Sequence, residues 1–177
     1  MKRKGKVAIA VGAGLSVVAL ALATTHPLKV VVDSSWANAY PTTAQMVANA
    51  DAVVEGTVVD ESGTEVSSQA DNLIYTNYTF KVDKWITGAG PSTILIHQMG
   101  GSAGLRQVTI PDDPPLKVGD SNILFLMQYA PGRYFIMGGP TGRIMLQDDV
   151  ARPLAGSIIQ LPSANVSSLI QSLRGTR

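Results

Sequence analysis

Few side chains in this sequence combine a reactive type with a spacing that could do chemistry. The clearest pattern is YFIMGGPTGRIML, residues 134–146, in which three glycines precede Arg143 between two apolar runs. A P-loop needs G-x-x-x-x-G-K-[ST] and a helix that begins at its end. Here Arg143 follows the last glycine, Pro140 has no N–H to donate, and RIML continues as a strand. We therefore predict a tight connection between strands, with Arg143 facing an anionic ligand or one of the domain's own carboxylates.

After residue 39 the chain contains a single histidine, His97, within TILIHQM. One imidazole cannot hold zinc without carboxylates, and a serine triad needs a particular serine and aspartate beside it. On a strand, His97 shares a face with Leu95 and Met99. A structural or surface role is the favoured interpretation. The alternative is a secreted hydrolase that uses Asp112, Asp113 and His97.

Two aspartate pairs, Asp112-Asp113 and Asp148-Asp149, could supply oxygen ligands to calcium if loops brought them together. Neither pair has the D-x-D-x-D-G spacing of a calcium loop, and PDDPP is ordinary turn chemistry. The chain has no cysteine, which excludes disulfides, thiolate metal sites and a thiol nucleophile. We predict no metal site, no cofactor and no catalytic residue.

The elements that would position these residues follow an apolar N-terminal segment. Four of the first six residues are basic, and residues 7–23 are uncharged and mostly apolar. This layout is typical of export, so residues 1–39 are predicted to be a signal peptide or membrane anchor plus linker. Cleavage after Ala23, cleavage after Ala39 and retention all stay open. If the segment is retained, residues 40–177 lie outside the membrane.

The same N-terminal segment imitates a dinucleotide-binding unit, because Asp33 follows its glycines at about the twenty-residue spacing such a unit needs. Val17, however, occupies the place of the third glycine, and the would-be helix is apolar on every face. No alternating strands and helices follow to complete the sheet. The export interpretation is therefore favoured.

Charge limits the partners of the remaining chain. Residues 1–39 hold five basic residues and one acidic residue, which leaves nine basic and twelve acidic residues, a net charge of −3, for residues 40–177. A nucleic-acid-binding domain is usually basic, so this balance disfavours nucleic acid. The 45% hydrophobic content is enough for one ordinary core.

From Tyr40 onward the sequence predicts mainly β structure between two short helices. Thr42 followed by Gln45 predicts a capping box and a helix to about Ala50. NVSSLIQSLRGTR predicts a C-terminal amphipathic helix with one apolar face: Val166, Leu169, Ile170 and Leu173.

Six main strands are predicted between these helices: AVVEGTVVD with a bulge at Gly56, the long IYTNYTFKVDKWI, TILIHQM, NILFLMQYA, RYFIMGG and GRIMLQ. RQVTI is predicted to add a short edge strand. In the long strand, the face that includes Phe80 and Ile86 is predicted to point to the core. NILFLMQYA is predicted to be covered on both faces. The polar stretch ESGTEVSSQADN is predicted to be a long flexible hairpin loop.

Open strand edges must be protected in so small a domain. We therefore predict a small closed or partly open β-barrel over residues 40–177, with a sandwich as the alternative.

The motifs ADAVVEGTVVD, YTNYTFKVDKWITG, PLKVGDSNILFLM and YFIMGGPTGRIML follow one another over about residues 47–147. In this order they resemble a group of mostly uncharacterised bacterial secreted or membrane-anchored domains with a small OB-like β-barrel. The resemblance implies an extracytoplasmic barrel of unassigned function. It carries over no catalytic residue.

OB-like barrels often bind ligands on one face through exposed aromatic side chains and a basic groove. The candidates in this chain are Tyr75, Trp85, Arg106, Tyr129, Tyr134 and Arg143. The alternative is that the aromatic rings fill the barrel ends. The sequence thus predicts a non-catalytic binding module of the cell envelope whose partner is a protein or an envelope component, with its oligomeric state open.

Overall fold

The structure is a computed structural model that describes residues 27–32, 40–67 and 73–176. The predicted export or anchor segment and both predicted cleavage sites lie outside these ranges. Within the described ranges, no helix is both long enough and apolar enough to cross a membrane. The elements in chain order are β1 (Leu28–Val31), α1 (Thr43–Asn49), β2 (Ala52–Val66), β3 (Ile74–Thr87), β4 (Thr93–Met99), β5 (Gly101–Ala103), β6 (Arg106–Thr109), β7 (Ser121–Ala130), β8 (Arg133–Ile136), β9 (Arg143–Gln147), β10 (Val150–Pro153) and α2 (Val166–Arg174).

Five of the strands close into a barrel. Antiparallel pairings join β2 to β3, β3 to β4, β7 to β8 and β7 to β2. A parallel pairing of β4 with β8 completes the ring. The predicted closed barrel is therefore confirmed, and the sandwich alternative is wrong.

The strand β7 lies between two apolar cores because its side chains alternate. Leu124 and Leu126 point into the barrel, whereas Ile123 and Phe125 point outward beneath the helices. All four side chains are completely buried. The prediction that this strand is covered on both faces is confirmed.

Both predicted helices are present, and side-chain caps start them. The Thr42 hydroxyl accepts a hydrogen bond from the Gln45 backbone N–H at 3.3 Å, and the Asn165 side-chain Oδ1 accepts one from the Ser168 backbone N–H at 3.0 Å. Such caps satisfy helix donors that have no partner within the helix. The helices pack on the outer side of β2, β7, β9, β10 and the end of β3, which we call the helix-covered face. Its buried side chains include Met46, Val53, Ile123, Phe125, Ile144, Leu169 and Leu173.

The β2–β3 hairpin is longer than predicted. Residues 61–66 continue β2 and pair with β3 as far as Ile74, so the loop prediction is wrong for this part. These residues are exposed, and polar side chains therefore suit the strand. The predicted irregularity at Gly56 is confirmed, because the register shifts between Glu55 and Gly56. A Cβ on Gly56 would lie 2.1 Å from the Lys81 carbonyl oxygen, which only glycine avoids.

Register shifts also correct one face assignment on β3. Phe80 points into the barrel as predicted, but Ile86 packs with the helix-covered face. A skipped residue reverses the direction of every side chain that follows it. The pairing of Glu55 with Lys84 and of Gly56 with Val82 shows such a skip at Asp83, three residues before Ile86.

A second, three-stranded sheet has the order β1-β6-β5. The RQVTI segment was predicted to be an edge strand, but β6 is the central strand of this sheet. It pairs in parallel with β1 and antiparallel with β5. The edge prediction was wrong because LKVV, which forms β1, had been assigned to the linker.

The glycine-rich stretch connects β8 to β9 through a turn of 3-10 helix, Gly139–Gly142. Gly138 and Gly139 adopt φ angles of 66° and 54°, which favour glycine. A Cβ on Gly142 would lie 2.0 Å from the Met137 carbonyl oxygen. The predicted tight connection between strands is confirmed. β8 and β9 pair with successive parts of the same edge of β7.

Candidate binding groove

The outer surface of β4, β8 and the first half of β3, which carries Tyr75 and Asn77, forms what we call the open face. The described helices pack on the barrel elsewhere, including the end of β3 at Ile86. Strand register aligns Asn77 of β3, His97 of β4 and Phe135 of β8 in one row. The same row continues to Met127 on β7. Neighbouring residues of opposite parity, such as Ile96, point into the barrel core.

Four rings form a continuous cluster on the open face. The Tyr75 and His97 rings stack with centroids 4.4 Å apart and an interplanar angle of 12°. Phe135 meets His97 edge-on at 5.2 Å, and Tyr129 packs on Phe135 at 4.4 Å. Tyr129 and Met127 remain 42% and 49% exposed. The cluster therefore presents apolar surface to solvent.

A chain of hydrogen bonds fixes the orientation of the His97 ring. The Asn77 Nδ2 group donates to Glu65 Oε1 at 2.8 Å, and Asn77 Oδ1 lies 2.6 Å from His97 Nδ1. An ionised Glu65 carboxylate can only accept, so it sets the orientation of the Asn77 amide. Asn77 Oδ1 must then accept a hydrogen bond from the His97 Nδ1–H group. In the neutral ring, Nε2 consequently carries the lone pair.

The surroundings of His97 favour the neutral ring. Burial lowers its pKa below the ordinary value, the Glu65 carboxylate opposes this shift, and the Arg133 guanidinium adds to it. At neutral pH the ring is therefore an acceptor at Nε2 and carries no charge.

A groove of about 170 Å³ opens beside these rings. The residues that line it are Tyr75, His97, Gln98, Met99, Asp113, Phe135 and Ile136. Gln98 Nε2 donates to Asp113 Oδ1 at 3.0 Å, and Gln98 Oε1 accepts from the Leu116 N–H at 3.0 Å. Burial raises the pKa of the Asp113 carboxyl, while Gln98 and Arg143 oppose the shift.

Arg143 lies behind the groove and is only 2% exposed. Its Nη1 donates to the Pro114 carbonyl oxygen at 2.6 Å and lies 3.7 Å from Asp113 Oδ1. Its Nη2 lies 3.6 Å from Asp120 Oδ2. Of the two roles considered for Arg143, the structure places it against the domain's own carboxylates. It thereby ties the segment before β7 to β9.

The structure brings together only some of the residues singled out in the sequence. Tyr75 and Tyr129 lie on the open face. Tyr134 points into the barrel core and is 5% exposed. Trp85 packs against that core and donates from Nε1 to the Pro91 carbonyl oxygen at 3.3 Å, while Arg106 lies in the three-stranded sheet. None of these three lines the groove.

Sequence reasoning missed Glu65, Asn77 and Phe135. Alternation along RYFIMGG could have found Phe135, because it separates this ring from Tyr134. The same rule places Asn77 beside Tyr75 on β3. Nothing in the sequence indicates that Glu65 lies within hydrogen-bond distance of Asn77, because its position depends on the extension of β2.

His97 and Asp113 share the groove, as the hydrolase alternative would require, but its lining contains no serine, threonine, cysteine or lysine to act as a nucleophile. Asp148 and Asp149 form the turn between β9 and β10, with φ angles of 50° and 61°. Among the described residues, no group of three or more histidine, aspartate and glutamate side chains is arranged to hold a metal ion.

No protein-family model and no curated protein matches this chain. The geometry of the groove is therefore the basis for a functional assignment.

Proposed function

We propose that this chain is an extracytoplasmic, non-catalytic binding module of the bacterial cell envelope that engages a protein or envelope component through the open face. The observation that carries the proposal is the row of rings beside the groove. Aromatic and methionine side chains are enriched at the centres of interfaces, and apolar patches that a domain leaves uncovered commonly mark binding sites. Tyr75, Phe135 and Tyr129 form such a patch, with the exposed Met127 at its edge.

The barrel topology supports an OB-like identity. Numbered along the chain, the barrel strands are ordered 1-2-3-5-4 around the ring, and strands 3 and 5 are parallel. This arrangement suits the five-stranded Greek-key barrel of OB folds, which bind ligands on the face of strands 2 and 3. Those strands correspond to β3 and β4, which carry Tyr75 and His97.

Export is supported by the N-terminal sequence alone. Its basic start and the apolar residues 7–23 suit a secreted protein or one anchored in the cell membrane, with residues 40–177 outside. Intact-mass measurement of protein from the secreted and membrane fractions tests this. A mature start at Thr24 or Tyr40 indicates secretion, and a Met1 start in the membrane fraction indicates an anchor. Recovery of Met1-start protein from the cytosol alone would contradict both.

Cross-linking tests the binding face. A photoreactive benzoylphenylalanine replaces Tyr129 on the open face or, as control, Ile158 beside the helix-covered face; Ile158 is 52% exposed. In intact cell envelopes we expect a discrete cross-linked product from position 129 only. Equal products from both positions, or none from position 129, would contradict the proposal.

The hydrolase alternative is retained because His97 and Asp113 face one groove. It predicts that purified protein turns over chromogenic esters or glycosides, and that His97→Gln and Asp113→Asn abolish this turnover in folded protein. The binding proposal predicts no turnover in either the parent chain or the variants.

A further inference from the structure

We infer that the groove receives the ammonium group of a lysine side chain presented by a partner protein, held between the Tyr75 and Phe135 rings and the Asp113 carboxylate. This inference rests on the proposed binding function and names the chemistry of its ligand.

One guanidinium behind the groove faces two carboxylates. Arg143 lies 3.7 Å from the buried Asp113 and 3.6 Å from the partly exposed Asp120. Both distances exceed ordinary hydrogen-bond length. The short bond from Arg143 goes instead to the Pro114 carbonyl oxygen, at 2.6 Å. The buried Asp113 carboxylate is thus beyond hydrogen-bond distance of Arg143, and its close side-chain donor is the neutral amide of Gln98.

A buried carboxylate in this state gains from a further cation. Removing a charge from water is costly unless an opposite charge lies close. The raised pKa of Asp113 is consistent with that cost, because burial is its largest cause. A cation in the groove would stabilise the ionised form.

The aromatic walls suit an ammonium group. Tyr75 and Phe135 have centroids 6.3 Å apart and planes inclined at 62°. Both rings line the groove, where a compact ammonium can contact them, whereas a planar guanidinium stacks best on one ring. The neutral His97 ring adds no repulsion, and the Met99 side chain supplies apolar surface for the lysine stem.

The size and setting of the groove favour a side chain of a protein. Its volume of about 170 Å³ is below the roughly 300 Å³ typical of pockets for whole small molecules. Residues 40–177 carry a net charge of −3, which favours a basic partner. Beside the groove, the exposed Met127 and Tyr129 offer apolar contact to residues that flank the lysine.

The test measures binding of acetyl-lysine-methylamide to the full exported chain by NMR, with the norleucine analogue as a neutral isostere. We expect shift changes at His97 and Phe135 and an affinity for the lysine probe at least roughly tenfold above that for norleucine. Asp113→Asn should weaken lysine binding by roughly tenfold, whereas the matched control Asp148→Asn, in the turn between β9 and β10, should leave it unchanged. Phe135→Leu, which keeps the charges, should also weaken it, because one of the two aromatic rings is lost.

Equal affinity for both probes would overturn the inference, and so would equal effects of Asp113→Asn and Asp148→Asn. Binding of phosphatidylcholine vesicles without binding of the lysine probe would overturn the choice of a protein partner. If position 129 still cross-links in cell envelopes while the lysine probe fails to bind, this inference fails and the proposed function stands. If both experiments fail, the open face is not a binding face.

Discussion

The two outer faces of the barrel are built from different side chains. The helix-covered face buries mostly aliphatic residues beneath α1 and α2, with Ile123, Ile144 and Leu169 fully buried. The open face carries rings and polar groups, among them Tyr75 and His97, and no described helix packs on it. Aliphatic side chains maximise the apolar area that a helix can bury, whereas aromatic side chains supply large, rigid contact area to a partner. The difference assigns the stability of the fold to one face and is consistent with the proposed binding function of the other.

The largest expected effect is on the helix-covered face. Leu169→Ala should lower the free energy of unfolding by about 3 kcal/mol, because it leaves a cavity between α2 and the barrel. Urea unfolding followed by circular dichroism measures this. The control Leu105→Ala changes a leucine that is 55% exposed and should cost less than about 0.5 kcal/mol. Equal losses in the two variants would refute the assignment of this face as core.

A ring on the open face should matter less for stability and more for binding. Tyr129→Ala removes a partly exposed ring that packs on Phe135, and should cost about 1 kcal/mol or less. The same urea titration provides the measurement. A loss of stability as large as that of Leu169→Ala would show that the ring cluster is a structural core. It would contradict the assignment of different roles to the two faces.

The pH dependence of stability is a smaller effect. Burial lowers the pKa of His97 below the value of about 6.5 for a free imidazole. The unfolded chain therefore binds this proton first, and the His97 contribution to stability is full above about pH 6.5 and falls as the pH drops toward the folded pKa. Asp113 acts in the opposite sense, because its raised pKa makes its burial costlier as the pH rises.

Urea titrations of the parent chain and of His97→Gln between pH 5 and pH 7.5 isolate the histidine term, since Asp113 is common to both proteins. The parent should lose stability relative to the variant as the pH falls. If the variant instead declines as steeply as the parent, His97 is not held in its neutral form on the open face.

The smallest expected effect concerns the charges around His97. Glu65→Gln removes a carboxylate that raises the pKa of His97, so this pKa should fall further. Arg133→Gln removes a cation that lowers it, so the pKa should rise. NMR titration of the imidazole C–H signal follows both shifts, and His26→Gln identifies the signal of the other histidine. Shifts of the same sign in both variants would disprove the electrostatic account.

Local patterns predicted much of the fold. Thr42 and Gln45 indicated the start of α1, and the spacing of Val166, Leu169 and Leu173 indicated α2, because capping and helical periodicity depend on neighbours in sequence. The continuous apolar run of β7 indicated burial on both faces. Each of these signals lies within about a dozen residues of sequence.

Features that depend on distant pairing were missed. The extension of β2 through Glu61 and Glu65 is polar apart from Gly63 and Val66, and only its pairing with β3 makes it a strand. The strand β10 follows a turn at Asp148 and Asp149. Both residues have positive φ angles, but neither is a glycine, so the sequence did not indicate this turn. The site depends on the same kind of information. Tyr75 and Tyr129 were identified by type, but the row that unites Asn77, His97 and Phe135 arises from register across three strands.

The shortest strand pairing in the barrel is that of β4 with β8, which we call the seam. It consists of three residue pairs, from Leu95 with Arg133 to His97 with Phe135, whereas the β2–β3 pairing has twelve. Short pairings open first in native proteins, so the amide hydrogens of β8 should exchange early. The His97–Phe135 contact crosses this seam. A ligand that contacts both strands of the seam would therefore hold the barrel closed, and its binding should slow amide hydrogen exchange throughout the barrel.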